Sequence, residues 1–232
     1  MGKIPLTLAH YDNFGYYTDD NGYAEGIPIG VAEPYPSDLE VINNFLKKYP
    51  NKNNTYIDVG AHIGTTCMPL SRIYKTVIGF EANNHNFELL LKNLEYNKSK
   101  NIIVHNIGLY NEICRCMILQ HQADSSGCFF LIKNPNGNIE CTTLDEYCKQ
   151  QNIENVDYIK IDTEGSELYV LEGALETIKK CKPLISIESN GLSNRLYNIS
   201  EQQLFDFFYK IDYEKFQISS KSLNIFFSHK NI

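Results

Sequence analysis

Acidic and amide side chains follow four apolar segments that we interpret as parallel strands, and these side chains have the most evident chemistry in the chain. Glu81, Asn106, Asp162 and Glu188 each stand at or next to the end of such a segment. The carboxyl ends of parallel strands meet at one edge of an open α/β sheet, where ligands bind. A carboxylate can instead cap the following helix, but four such groups at one edge favour a binding site.

A glycine turn follows another apolar strand, at residues 56–59. Gly60 and Gly64 stand at the start of a predicted helix, where glycine permits a tight turn and a close approach to a ligand. Backbone N–H groups at such a helix start are expected to face an anionic or polar group. Glu81 lies 21 residues beyond Gly60, close to the ~20-residue spacing at which an acidic side chain binds ribose hydroxyls. The sequence therefore predicts a nucleoside ligand.

The turn does not match the dinucleotide fingerprint, G-x-G-x-x-G, because His62 stands where the second glycine is needed. A diphosphate would be crowded there. A ligand without a diphosphate, such as S-adenosylmethionine, fits better, with Glu81 on its ribose and the glycine turn against its amino-acid end. A nicotinamide-dependent oxidoreductase on a related fold remains an alternative.

Six segments occur in an order and spacing that resemble the FkbM-type S-adenosylmethionine-dependent methyltransferases. The resemblance covers roughly residues 55–190, and the most specific segment is Lys160-Ile-Asp-Thr-Glu-Gly-Ser-Glu167; the segments span residues 58–64, 80–81, 143–145, 159–167, 171–174 and 183–188. It implies a Rossmann-like class I methyltransferase fold, an α/β fold with a seven-stranded, mostly parallel sheet, an antiparallel C-terminal strand and helices on both faces. It also implies methyl transfer to oxygen. This chain has His62 where the family usually has Asn, and Ala82 where it usually has Pro.

Analogy with the family and position in the chain together give the site assignments. The expected catalytic residues are Asp162, Glu164 and Glu188, near the transferred methyl group; Asp162 or Glu164 is favoured as the base, with Glu188 and the histidines as alternatives. The polar loop at residues 124–130 is expected to contact the acceptor, with a plain surface turn as the alternative. The expected acceptor-binding residues are Ser125, Ser126 and Glu164. The expected cofactor-binding residues are Asp58, Gly60, Ala61, His62, Gly64, Glu81, Ala82, Asn106 and Asp162. Asp145 is expected to be structural.

No metal ligand is assigned. Asp162, Glu164 and Glu188 could supply oxygen ligands to a divalent cation, but this reading is not favoured. Cys114 and Cys116, with His121 nearby, are interpreted as alternate residues of a strand rather than as a zinc site.

The elements that position these residues follow a strand–helix rhythm. Helices are expected at residues 37–49, from the glycine turn to 74, at 86–97, from 166 to 180, and at 200–209. One or two extra strands are expected near 116–119 and 139–142, and an antiparallel hairpin at 213–228. Residues 1–36 are interpreted as an irregular or hairpin-like lead-in to the domain. A turn at 20–22 could close a β-hairpin between residues 14–17 and those from 23 onward. The alternative is that this segment forms a lid over the site.

Length and composition limit the function classes. The 232 residues are expected to form a single methyltransferase domain (1–232), with a lead-in and capping helix at 1–50 and a catalytic core at 55–232. A net charge of −7 offers no basic field for nucleic acid, and no apolar run is long enough to span a membrane. Seven scattered cysteines suggest reduced thiols and a cytoplasmic protein. The abundance of Asn, Lys, Ile and Tyr is typical of an AT-rich genome; in a viral source, the location would be the host cytoplasm.

The sequence therefore predicts an O-methyltransferase with S-adenosylhomocysteine as product. We expect the acceptor to be a small molecule or glycan, with a hexose or deoxyhexose hydroxyl favoured. A non-sugar acceptor stays open, and so does a non-catalytic module of the same fold.

Overall fold

Parallel strands alternate with helices along most of the chain. The computed structural model describes residues 7–11, 14–18, 36–121, 127–188, 190–216 and 224–232. Its strands are β1 (Thr7–Tyr11), β2 (Phe14–Thr18), β3 (Thr55–Val59), β4 (Thr76–Phe80), β5 (Ile102–His105), β6 (Gly108–Leu109), β7 (Cys114–Gln120), β8 (Phe129–Lys133), β9 (Ile139–Thr142), β10 (Tyr158–Ile161), β11 (Leu184–Glu188), β12 (Tyr213–Lys215) and β13 (Asn224–His229). Its helices are α1 (Pro36–Lys48), α2 (Cys67–Leu70), α3 (Asn84–Tyr96), α4 (Leu144–Gln150), α5 (Glu167–Glu172), α6 (Leu175–Cys181), α7 (Leu192–Tyr197) and α8 (Glu201–Lys210).

The main sheet has seven strands in the spatial order β12-β13-β11-β10-β3-β4-β5. Six strands run in one direction, and β13 runs antiparallel to both of its neighbours. This confirms the predicted seven-stranded, mostly parallel sheet with an antiparallel last strand. The ends of β3, β4, β10 and β11 therefore lie at one edge.

Helices cover both faces of the main sheet, as predicted. Alternation along β10 sends Tyr158 into one core, and Ile159 and Ile161 into the other. Helices α1, α2 and α3 pack on the Tyr158 side, and α4, α5, α6 and α8 pack on the opposite side. The central strands are apolar on both faces because both faces are covered.

A second sheet lies between β5 and α4 in the chain, and it is larger than predicted. Four strands pair in the order β6-β9-β7-β8, where the sequence predicts one or two. The two-residue strand β6 is too short to give a periodic signal in the sequence. Strands β7 and β8 are separated by a segment that includes residues 122–126, which lie outside the described part of the chain. The small sheet has its own apolar cluster around Tyr110, Cys116, Leu131 and Cys141.

Two predicted helices are wrong in extent. The helix after Gly64 is reduced to α2, and turns rather than helix lead from Ser71 to β4. The helix expected over residues 166–180 is divided into α5 and α6, because the backbone at Gly173 lies directly against the carbonyl of Tyr110. Asp145 accepts the backbone N–H groups of Glu176 and Thr177 at the start of α6. This contact bears out the structural role expected for Asp145.

The terminal hairpins differ in how well they match the sequence. Strand β2 pairs with β1, which precedes it, whereas the sequence predicts pairing with residues from 23 onward; those residues and the predicted turn at 20–22 lie outside the described part. Strands β12 and β13 form the expected antiparallel pair.

Helix α1 begins at Pro36, one residue before the predicted cap. Among the described helices, none is both long and apolar enough to cross a membrane.

Candidate active site

The turn after β3 is shaped by left-handed backbone at three positions. Gly60, His62 and Gly64 have φ angles of 87°, 50° and 92°. A Cβ at Gly60 would overlap the carbonyl oxygen of Asp162, which begins the loop after the neighbouring strand β10. Left-handed φ is open to glycine and is more frequent for Asn, Asp and His than for most other residues, which is why His62 fits here without a glycine.

Contrary to the expectation from the sequence, the backbone N–H groups of Gly60, Ala61 and His62 bind protein acceptors rather than facing a ligand. Those of Gly60 and Ala61 donate to the Phe80 carbonyl at 3.0 and 2.9 Å, and that of His62 donates to Glu81 Oε2 at 2.8 Å. The turn is therefore held to the end of β4, and the N–H groups of Gly60, Ala61 and His62 are not available to a ligand.

Glu81 is the buried carboxylate that follows β4. Its Oε1 accepts the Asn83 N–H at 2.8 Å, so each oxygen takes one backbone hydrogen bond and keeps a further lone pair. Burial raises the pKa of Glu81 to about 7, against the lowering effect of the Asn83 and His62 N–H groups. Asn106 lies next to it, but its amide donates to the Glu81 carbonyl at 2.8 Å.

A buried lysine balances the acidic groups at the end of β10. Lys160 is 3% exposed, lies opposite Asp58 in the register of β10 with β3, and donates to Asp162 Oδ2 at 2.8 Å. Burial would raise the pKa of Asp162, but the charge and hydrogen bond of Lys160, with smaller effects of Glu188 and His62, together outweigh burial, and the pKa is lowered. Burial raises the pKa of Asp58, which Lys160 partly offsets. Asp162 therefore stays ionised.

Glu164 and Glu188 complete a carboxylate group with Asp162, in which one oxygen of each lies within 4.8 Å of the others. Burial, with the charges of Asp162 and Glu167, raises the pKa of Glu164 to about 8. Burial, with Asp162 and Glu164, raises the pKa of Glu188 to about 10. At neutral pH, Asp162 is therefore ionised, whereas Glu164 and Glu188 are mostly protonated.

Glu164 is held by a contact that crosses between the two sheets. His121, beyond the end of β7, lies 2.9 Å from Glu164 Oε2 through its Nε2. Arg195 Nη2, on α7, lies 3.4 Å from the other ring nitrogen. Burial and the Arg195 charge lower the pKa of His121, so the ring is neutral at pH 7. With Nδ1 accepting from Arg195, the ring proton is on Nε2 and is donated to Glu164.

These groups line one cleft with a cavity volume of about 240 Å³. Eight residues assigned from the sequence lie in its lining: Gly60, Ala61, His62, Glu81, Ala82, Asp162, Glu164 and Glu188. Asp58, Gly64 and Asn106 lie outside the lining, behind or beside it. Ser125 and Ser126 lie outside the described residues.

Sequence reasoning assigned no role to several residues of the cleft. Lys160 had a signal, because a lysine between Ile159 and Ile161 in a buried strand requires a partner. His121 contacts Glu164 but does not line the cleft; the sequence offered it only as one of several histidines that could be the base, since its contact with Glu164 joins residues 43 positions apart. Part of the 124–130 loop lies in the cleft lining, at Gly127, Cys128 and Phe129. The rest of the wall from the small sheet was missed; its residues are Gly108, Leu109, Ile118 and Leu131.

Comparison with solved structures gives a likeness to methyltransferases. The methyltransferase FkbM from Methylobacillus flagellatus matches with a TM-score of 0.52 and 20% identity, over 77% of this chain and 44% of that chain. This chain thus spans less than half the length of that relative. TrmK from M. capricolum, in complex with S-adenosylhomocysteine, matches with a TM-score of 0.47 and 16% identity, over 81% of this chain and 67% of that chain. No curated protein matches the sequence.

The first likeness shows the fold, which is the class I methyltransferase architecture expected from the sequence. The family itself is shown by a model described as "Methyltransferase FkbM domain", which matches residues 58–211 and so covers more than half of the chain. That match contains the glycine turn, Glu81, Lys160 and all three clustered carboxylates. The chain belongs to the FkbM methyltransferase family.

Proposed function

We propose that the chain is an S-adenosylmethionine-dependent O-methyltransferase that acts on a hydroxyl of a sugar, a hexose or deoxyhexose, free or in a glycan. The observation that carries the proposal is the presence of Glu81 and Glu164 in one cleft. Glu81 can accept hydrogen bonds from the ribose hydroxyls of the methyl donor. Glu164 can accept the proton of an acceptor hydroxyl. Membership of the FkbM family supports methyl transfer as the reaction.

The residues on the β3–β4 side of the cleft fit the donor. When bound, S-adenosylmethionine supplies a methyl group on a positively charged sulfur. The free lone pairs of Glu81 suit two ribose hydroxyls, and Gly60 and Ala61 line the cleft beside it. The apolar side chains of Ile107 and Leu109, also in the cleft lining, suit the flat face of an adenine.

Protonation decides which of the three carboxylates is best suited to be the base. Asp162 is ionised but bound to Lys160, so it is a weak base. Glu188, with a pKa raised to about 10, is protonated at neutral pH. Glu164, with a pKa of about 8, is closest to the value at which a general base works best near neutral pH. We assign it the removal of the hydroxyl proton.

His121 is assigned as a positioning residue for that base. Glu164 has a left-handed backbone with φ of 55°, which is uncommon for glutamate and is often found at functional sites. Its side chain needs a fixed partner to face the cleft, and the His121 ring at 2.9 Å provides one. In the reaction, Glu164 takes the acceptor proton while His121 keeps its orientation.

The acceptor side favours an uncharged polyhydroxyl compound. The carboxyl groups of Asp162, Glu164 and Glu188 offer both hydrogen-bond acceptors and donors to the hydroxyls of a sugar, and the ionised Asp162 repels a phosphate. A non-sugar compound with a hydroxyl group would contact the same three side chains. A comparison of turnover on sugar and non-sugar acceptors distinguishes the two classes.

Two rival functions are less well supported. A nicotinamide dinucleotide needs donors for its diphosphate, whereas the N–H groups of Gly60, Ala61 and His62 already have partners. A non-catalytic module has no need for three carboxylates whose pKa values are driven apart inside a cleft.

The decisive experiment uses the full chain with methyl-labelled S-adenosylmethionine and a panel of acceptors. The panel contains methyl glycosides of hexoses and 6-deoxyhexoses, with phenols and aliphatic alcohols as non-sugar acceptors. Label on a glycoside, with one methyl added by mass, is the expected result. Label on a non-sugar alone would replace the sugar assignment, and binding of NAD without binding of S-adenosylmethionine would overturn the methyltransferase proposal.

We assign no metal to the carboxylates, because the Lys160 ammonium already supplies a cation among them. We therefore expect a chelator to leave turnover on the best acceptor unchanged. Loss of turnover with EDTA, restored by Mg²⁺, would show that the carboxylates hold a divalent ion.

A further inference from the structure

Three cysteines meet on one face of the small sheet, away from the carboxylates of the cleft. Cys114 and Cys116 are alternate residues of β7 and so point the same way, and Cys141 lies directly opposite Cys114 on β9. The sulfur atoms of Cys114 and Cys116 are 3.9 Å apart, and all three sulfurs lie within 4.8 Å of one another. Residues far apart in sequence thus form a compact group of thiols.

The spacing of these sulfurs suits a shared metal ion. A cation with three coplanar sulfur ligands at about 2.3 Å holds them about 4.0 Å apart. Zn²⁺ prefers four ligands, whereas this group contains three ligand atoms among the described residues. Cu⁺ is soft, is selected by thiolates and is stable with three ligands.

We propose that Cys114, Cys116 and Cys141 form a three-thiolate site for a soft monovalent cation, with Cu⁺ as the fitting ion. Binding forms three sulfur–metal bonds and releases the thiol protons to solvent, with no change in oxidation state. Lys133 lies opposite Cys116 on β8 and forms an ion pair with Glu112.

Packing alone is a weaker account of the cluster. Cys116 and Cys141 are buried and Cys114 is half-buried, so small apolar side chains would serve a purely structural purpose equally well. A Cβ at Gly108 would meet the Cys141 sulfur at 2.7 Å, so β6 lies directly on the group. Because Gly108 also lines the cleft, a metal held here would fix the apolar wall of the active site.

The test is a titration of the reduced full chain with Cu⁺ under anaerobic conditions, in competition with the chelator bathocuproine disulfonate. We expect one equivalent of Cu⁺ to be retained. Cys114→Ser and Cys141→Ser should each weaken binding by about tenfold or more. Cys181→Ser is the matched control, because Cys181 is half-buried like Cys114 and donates to the Glu154 carbonyl instead; it should bind as the unmodified chain does.

Three outcomes would overturn the proposal: no retained Cu⁺, equal loss in Cys181→Ser, or loss in Cys128→Ser while Cys114→Ser and Cys141→Ser bind normally. The last result would assign the ion to His121, Cys128 and Glu164, which also lie together. Circular dichroism checks that each variant is folded. If Cys141→Ser does not fold, the half-buried Cys114→Ser decides the question.

Discussion

At the scale of single residues, Glu81 is the proposed ribose-binding residue of the donor half. A carboxylate accepts hydrogen bonds from hydroxyls well only when ionised, and burial raises the pKa of Glu81 to about 7. Below that pH, the protonated form predominates and binding weakens. We therefore expect the affinity for S-adenosylmethionine to be about tenfold lower at pH 6 than at pH 8, as measured by calorimetry.

Glu81→Gln removes the charge but keeps the shape, so the variant should bind weakly with no pH dependence near 7. Glu88→Gln is the matched control, since Glu88 is exposed on α3. A pH dependence that persists in Glu81→Gln would show that another group is responsible.

Glu164 gives the corresponding prediction for the acceptor half. Its pKa of about 8 means that the fraction in the basic form grows about tenfold per pH unit below 8 and levels off above it. The kcat on the best acceptor of the panel should follow this profile. Glu164→Gln should lose about 10²- to 10⁴-fold in kcat and show no such rise, while still binding S-adenosylmethionine.

The role of His121 is separable from that of Glu164. His121→Gln keeps an N–H donor and should retain more activity than His121→Ala, with the pH profile moved in both variants. Glu172→Gln, an exposed change on α5, serves as the control. Equal losses in the two His121 variants would contradict a positioning role.

At the scale of elements, the turn after β3 depends on close contact between two strand ends. Gly60→Ala forces a Cβ onto the Asp162 carbonyl and also meets the left-handed φ. Gly191 has a similar φ of 78° but has no atom within 4 Å of such a Cβ, so Gly191→Ala isolates the cost of the backbone conformation, about 1–2 kcal/mol. Thermal unfolding should show a clearly larger loss for Gly60→Ala, and equal losses would mean that the strand ends relax easily.

Elements with regular apolar patterns were predictable, and those set by long-range contacts were not. The central strands and the acids that follow them are readable because burial on both faces leaves continuous apolar runs. The break between α5 and α6 falls at Gly173, which lies against Tyr110 more than 60 residues earlier in the chain, and no local pattern reveals this contact. The contact of His121 with Glu164 and the pairing of Cys141 with Cys114 escaped for the same reason, since both join distant parts of the chain.

At the scale of the whole molecule, the cleft lies between the edge of the main sheet and the small sheet. Glu81, Lys160 and Glu188 belong to the first wall, and Leu109 and Leu131 to the second. A ligand in this cleft therefore contacts two units that pack their apolar residues largely in separate clusters. Such a ligand should stabilise the folded chain as a whole.

The final prediction follows from this arrangement. S-adenosylhomocysteine at about 100 times its Kd should add about 2.7 kcal/mol to the free energy of unfolding. For a chain of this size, each kcal/mol corresponds to about 2–4 °C in Tm, so a rise of roughly 5–10 °C is expected by calorimetry. NAD at the same concentration should give no rise, because the turn after β3 has no free N–H groups at Gly60, Ala61 or His62 for a diphosphate. In Glu81→Gln the rise should shrink, since the ribose loses its ionised partner; an undiminished rise would place the cofactor elsewhere in the fold.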